Sequence, residues 1–131
     1  GSMVGPEGFG WHWLLGDETA LPAIARRLAE LPASAVATVR IQLNNPADQR
    51  VLTSAAQLDL KWVDALPAAV EALALPAGTG FVWAAGEHSD MAAVRRAVLA
   101  KQGVDPKRMR ISAYWKRGAA DHHEDLVSAA G

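Results

Sequence analysis

Five short apolar runs, Trp11–Leu15, Val36–Leu43, Gln57–Val63, Gly80–Ala85 and Arg108–Trp115, alternate with segments of helical period, and that alternation leaves few folds open. Parallel strands need a crossover that returns the chain to the same end of the sheet, so alternation predicts a parallel sheet with helices on both faces. Right-handed crossovers then favour a doubly wound, three-layer α/β domain of five parallel strands in the order 3-2-1-4-5. In that order the carboxyl ends of strands one, four and five meet at one rim. Open α/β sheets bind ligands in the crevice outside such strand ends.

The first helix follows strand one, with Leu21, Ile24 and Leu28 at helical spacing and Arg26, Arg27 and Glu30 facing away. Pro22 falls in its first turn, where a missing N–H costs nothing. A second helix is predicted from Asp64 or Leu66, with Pro67 early and Val70 and Leu73 inward. A third is predicted from a Ser89 or Asp90 cap to Gly103, with Met91, Val94 and Val98 inward. Asn44–Ser54 reads as a loop with one short turn. In the last strand Met109, Ile111, Ala113 and Trp115 alternate with Arg110, Ser112 and Tyr114, the pattern of an edge strand. His12 and Trp13 read as strand residues and Trp62 as core.

At 131 residues the chain suits one core. Gly1-Ser2-Met3 reads as a cloning scar, 4–118 as the domain and 119–131 as a flexible tail. No apolar run approaches the ~20 residues of a membrane helix. The absence of cysteine excludes disulfides, zinc thiolates and iron–sulfur clusters, and suits a cytoplasmic location. A formal net charge of −1 gives no general attraction to nucleic acid. His122 and His123, next to Glu124 and Asp125, read as solvated rather than as a metal site.

Three groups of residues converge on the expected rim. In Gly16-Asp-Glu-Thr-Ala-Leu-Pro-Ala-Ile24, backbone N–H groups and the Thr19 hydroxyl suit a pyrophosphate, whereas Asp17 and Glu18 oppose one; equally, Asp17 or Thr19 caps its own helix. In Trp83-Ala-Ala-Gly-Glu87, followed by His88, a glycine permits a planar ring to approach the backbone, or simply marks a tight turn beside a solvated acid. In Tyr114-Trp-Lys-Arg-Gly118, an aromatic pair precedes two cations suited to an anion, or Trp115 is core and Lys116 and Arg117 are solvated.

These three motifs together resemble the C-terminal nicotinamide-binding domain of the siderophore-interacting proteins, flavin-dependent ferric-siderophore reductases of the ferredoxin-reductase-like group. The resemblance spans about Gly10 to Gly118 and departs from the family in two places. Lys116 stands where arginine is common. The segment after strand two reads Arg40-Ile-Gln-Leu-Asn44, without the acid suited to a ribose 2′-hydroxyl, so NADH and NADPH stay equally open and Arg40 or Arg50 is available to a 2′-phosphate.

The resemblance implies that Gly16, Asp17, Glu18, Thr19, Ala20, Leu21, Ala85, Gly86, Glu87, Tyr114, Trp115 and Arg117 line the NAD(P)H site. It also implies that Lys116 and Arg117, with Lys107 and Arg108 in support, attract an anionic ferric siderophore. FAD belongs to an N-terminal barrel whose R-x-Y-[ST] type motif the chain lacks, so that flavin domain is an expected partner. The cofactors supply the redox chemistry, the flavin passing electrons to iron, and no side chain here is expected to act as acid, base or nucleophile. Ferrous iron then leaves hard oxygen ligands more readily than ferric iron.

Two other readings remain. The same fold, fused to a regulator, would sense a nucleotide or an iron chelate. A phospho-acceptor receiver domain would use Asp17, Glu18, Asp64 and Lys116, but Ala84-Ala85 stand where it needs a hydroxyl.

Overall fold

The computed structural model describes residues 9–119 and 124–125. Strand β1 (Trp11–Asp17) passes through a single 3-10 turn (Glu18–Ala20) into helix α1 (Leu21–Glu30), and β2 (Val36–Gln42) follows. A loop containing one 3-10 turn (Pro46–Asp48) leads to β3 (Gln57–Val63) and the short helix α2 (Leu66–Glu71). Then come β4 (Gly80–Glu87), α3 (His88–Leu99), a 3-10 turn (Pro106–Arg108), β5 (Met109–Trp115) and a two-residue strand β6 (Glu124–Asp125).

The sheet order is β3-β2-β1-β4-β5-β6. The first five strands are parallel in the order 3-2-1-4-5, as expected. β5 is not a bare edge, because β6 pairs antiparallel with it, Asp125 against Ser112 and Glu124 against Ala113. Of the stretch 119–131 read as a tail, only Ala119 and this pair are described. Residues 1–3, His122 and His123 lie outside the described residues. Among the described residues no helix is long and apolar enough to cross a membrane.

The two-residue period of the strands sorts the side chains into two cores. Leu14, Ala37, Val39, Ile41, Trp83 and Ala85 meet Ile24 and Leu28 of α1 on one face. Trp13, Leu15, Val82, Ala84 and Ile111 meet Val70 of α2 and Met91, Val94 and Val98 of α3 on the other. Helices thus cover both faces. Arg27 does not face away: its guanidinium lies 5.0 Å over the Trp83 ring, since the α1 stripe is wider than three leucine-type positions. Trp62, on the edge strand β3, is half-buried rather than core.

Several boundaries differ from the pattern, and β2 stops at Gln42, one residue before Leu43. β1 and β4 run on to Asp17 and Glu87 because ladder pairing continues through Gly16, Asp17 and Gly86. β5 begins at Met109, with Arg108 held in the preceding turn. α3 stops at Leu99, before Gly103, whose φ of +91° belongs to the loop beyond. α2 stops at Glu71, where Lys101 donates to the Glu71 and Leu73 carbonyls that a further turn would have used.

The close approach of β1 to the start of β4 requires a glycine. A Cβ on Gly80 would stand 1.9 Å from the Trp11 ring, whose Nε1 donates to the Gly78 carbonyl at 3.1 Å. Gly80→Ala should therefore destabilise the domain by about 1–3 kcal/mol, the usual range for overpacking. A shift of the urea midpoint at unchanged slope measures it; an unshifted midpoint would show that this end of β1 yields freely.

Candidate functional site

β1, β4 and β5 end side by side, and one carboxylate ties them. Asp17 is 6 % exposed. Its Oδ1 accepts from the Thr19 backbone N–H at 2.9 Å and from the Thr19 hydroxyl. Its Oδ2 accepts from the Glu87 N–H at 3.1 Å and from Trp115 Nε1 at 2.9 Å. A buried carboxylate is costly unless its lone pairs are filled, and these donors fill them. Hydrogen bonds to a charged group each contribute about 1.5–3 kcal/mol, so this is a strong joint.

The two motif glycines serve that joint. A Cβ on Gly86 would stand 2.9 Å from Asp17 Oδ2 and 3.2 Å from Met91 Cε. One on Gly16 would stand 2.6 Å from Ala20 Cβ and 2.8 Å from the Ala85 carbonyl. The room expected at Gly86 for a planar ring is taken, on its Cβ side, by the Asp17 carboxylate. Gly16, Ala20, Leu21, Ala85 and Gly86 thus form a buried wall behind the rim.

A second buried carboxylate anchors the outer turn. Glu87, 1 % exposed, caps α3 by accepting from the Asp90 N–H at 3.0 Å, in place of the expected Ser89 or Asp90 cap. Its other oxygen accepts from the Arg117 N–H at 3.1 Å, and the Arg117 guanidinium lies 3.8 Å away. It is therefore not a solvated acid. Burial pushes its carboxyl up, but the N–H groups of Arg117, Asp90 and Ser89 and the Arg117 charge outweigh burial and hold it below its ordinary value. Asp90 is shifted the other way, by burial and by its neighbours Glu87 and Asp17.

At this point the β4–β5 register slips: Gly86 faces Ala113 but Glu87 faces Trp115, leaving Tyr114 as the extra residue of a bulge. The bulge sends Trp115 towards Asp17 and Tyr114 to the α1 face, edge-on to Trp83 at 6.5 Å. Lys116 to Ala119 then turns back on itself, with Ala119 N donating to Lys116 O at 3.0 Å and Gly118 at φ +82°. The Arg117 side chain is 67 % exposed and its guanidinium lies 5.8 Å from the Trp115 ring centre.

Of the residues singled out in the sequence, Thr19, Lys116 and Arg117 are exposed and Glu18, Tyr114 and Trp115 half-buried at this rim. The Thr19 hydroxyl proton is committed to Asp17, and Glu18 accepts from Asn44 at 3.0 Å. The accessible cations are thus Lys116 and Arg117, which suit phosphate or carboxylate. Lys107 and Arg108 lie at the opposite end of β5, Arg108 facing Asp105 at 3.8 Å. Arg40 is buried and donates to the Val39 carbonyl and to Asp59, so Arg50 is the exposed candidate for a 2′-phosphate. A cavity of about 170 Å³ lined by Phe9, His12, Leu14, Arg27, Glu30, Leu31 and Phe81 opens at the strand starts, away from the rim. Asp17, wholly engaged, is unsuited to the receiver reading, and among the described residues no acid or histidine cluster could hold a metal.

The fold is that of an open α/β domain, a class that binds ligands outside the carboxyl ends of its strands. Residues 9–118 match the sequence pattern of the siderophore-interacting proteins, and the chain belongs to that family. It is 30 % identical to the NADPH-dependent ferric-chelate reductase of Escherichia coli K12 over 122 residues, 88 % of this chain and 48 % of that protein. It is 28 % identical to the ferric vibriobactin reductase ViuB of Vibrio cholerae over 127 residues, covering 88 % and 47 %. The crystal structure of a siderophore utilization protein from T. fusca superposes with a TM-score of 0.78 at 32 % identity, covering 86 % of this chain and 47 % of that one. The chain spans about half the length of the relatives it matches.

Because the folded-state pKa of Glu87 is depressed, its contribution is present above the unfolded carboxyl pKa and is lost as pH falls through the folded value. Glu87→Gln should cost about 2 kcal/mol at pH 7, in the range for a hydrogen-bonded charge. Urea unfolding across the acid limb should show the mutant and parent converging at low pH. A constant difference from pH 7 to pH 3 would mean that the ionised carboxylate is not the stabilising species.

Proposed function

We propose that this domain is the nicotinamide-nucleotide-binding half of a flavin-dependent ferric-siderophore reductase, presenting NAD(P)H to FAD on an N-terminal domain for iron release. One observation carries the reading: Asp17 and Glu87 are turned inward and hydrogen-bonded, so the shared end of β1, β4 and β5 presents Lys116 and Arg117 beside the half-buried Glu18. Of the two acids at this turn, Asp17 has its lone pairs filled by backbone, hydroxyl and indole donors, which leaves Glu18, bonded to Asn44, as the acid nearer solvent. The reductases named among the relatives support the reaction class.

In this reading the nicotinamide and the flavin supply the redox chemistry. The chain supplies position and charge. The Asp17 bracket fixes the three strand ends, and Glu87 fixes the turn that carries Arg117 through its backbone N–H, while the Arg117 guanidinium, 3.8 Å from Glu87 and largely exposed, lies within reach of an anion at the rim. Lys116 and Arg117 then serve the nucleotide phosphates, an anionic ferric chelate, or both in succession. A reducing, cytoplasmic setting fits a chain with no cysteine.

NADH and NADPH, titrated by calorimetry or NMR, should bind weakly and perturb residues around Thr19, Tyr114 and Arg117. Arg117→Ala should weaken binding about tenfold or more, the loss expected for one charge-assisted hydrogen bond. Unchanged affinity for both nucleotides would make Arg117 a solvated residue, and a footprint at the strand starts would move the site. Ferric-chelate reduction should require an added flavin-binding domain; turnover by the chain alone would refute the division of labour.

A further inference from the structure

We propose that a second copy of this chain pairs antiparallel with the outer edge of β3, joining two sheets across a two-fold axis. Among the described residues nothing pairs with that edge. β3 is seven residues long, in unbroken register with β2, without proline or bulge. Open edges of this kind are ordinarily blunted, because their free N–H and C=O groups template association. Here Leu58 stands 36 % exposed on the edge, and Leu60 and Trp62 beside it are half-buried.

The sequence Gln57-Leu-Asp-Leu-Lys-Trp-Val63 is self-complementary about Leu60. A two-fold axis normal to the sheet keeps each side chain on its own face, so only registers pairing residues of the same parity are available. Centring on Asp59 or on Lys61 sets that charge directly opposite its own copy, which is unfavourable. Centring on Leu60 pairs Asp59 with Lys61 twice over, Leu58 with Trp62 twice over, and Leu60 with itself. The charges that repel a foreign strand thus match a copy of their own. The Asp59 side chain is 57 % exposed although it also receives Arg40, so one carboxylate can serve both cations.

On the opposite face of β3 from the charges, Leu58, Leu60 and Trp62 lie in line with Ala37, Val39 and Ile41. Pairing would extend this apolar row across both copies without touching the rim. β3 is at the far side of the sheet from β4 and β5, so both crevices remain open and point in opposite directions. The proposal is independent of what the rim binds.

Sedimentation equilibrium of the full chain should show one chain at low micromolar concentration passing to two as concentration rises. Lys61→Glu, an exposed change that turns both attractive pairs repulsive, should weaken that dimer by about tenfold or more. The chain has no cysteine, so Leu60→Cys introduces a single thiol on the axis. Facing Cα atoms in an antiparallel pair lie about 4.5–5.5 Å apart, within disulfide reach. Mild oxidation should therefore cross-link Leu60→Cys, whereas Gln57→Cys, about 20 Å from its copy in this register, should stay uncross-linked. A parent chain that stays monomeric to sub-millimolar concentration overturns the proposal, as does a dimer indifferent to Lys61→Glu or equal cross-linking at 57 and 60. Should Leu60→Cys fail to fold, the Lys61→Glu sedimentation result decides alone.

Discussion

The Asp17 carboxylate is the constraint on which the carboxyl end of the sheet depends. It receives donors from its own turn, from the first residue beyond Gly86 and from the indole of Trp115, so β1, β4 and β5 share one negative charge at their common end. A buried ion held this way is unforgiving: breaking one partner strands the rest in a medium that cannot solvate them. The two glycines, the 3-10 turn and the bulge at Tyr114 all follow from seating it. Glu87 repeats the device one layer out, capping α3 with one oxygen and gripping the Arg117 turn with the other.

The architecture was legible because two periodicities carry it. Residues such as Val39 and Ile111 alternate with polar neighbours, while Leu21, Ile24 and Leu28 recur at helical spacing, and all of them are buried. Strand order followed from the handedness of crossovers. The rim was only half legible. Which residues gather there could be read from the strand ends, but not which way their side chains turn. An aspartate at the end of a strand reads as a cap or a phosphate repellent; Asp17 does cap the 3-10 turn, and donors 70 and 98 residues away make it a buried bracket as well. Glu87 escaped for a related reason: glutamate is an uncommon N-cap, so Ser89 and Asp90 drew the assignment. Arg40 and Arg27 were misplaced because a long cationic side chain on an apolar face finds a carbonyl, carboxylate or ring that spacing does not reveal.

The rim and the β3 edge divide the domain's surface by chemistry. At the rim, Asp17 and Glu87 are internalised while Lys116 and Arg117 stand exposed on a turn supported by backbone and buried carboxylate. At the β3 edge the charges stay outside and alternate in sign over Asp59 and Lys61, an arrangement that selects a partner surface and ignores small ions. The two lie at opposite sides of one rigid sheet.

The Asp17 to Trp115 hydrogen bond joins residues 98 positions apart, with β4 between them in sequence. Contacts of such range carry the heaviest loop-closure cost and form after local pairings such as β1 with β2. During synthesis the chain therefore has its first core well before it has a rim, and the Asp17 carboxylate stays short of donors until β5 has left the ribosome. A truncated product ending before Trp115 can bury leucines around α1, yet it has no means of tying together the carboxyl ends of β1, β4 and β5.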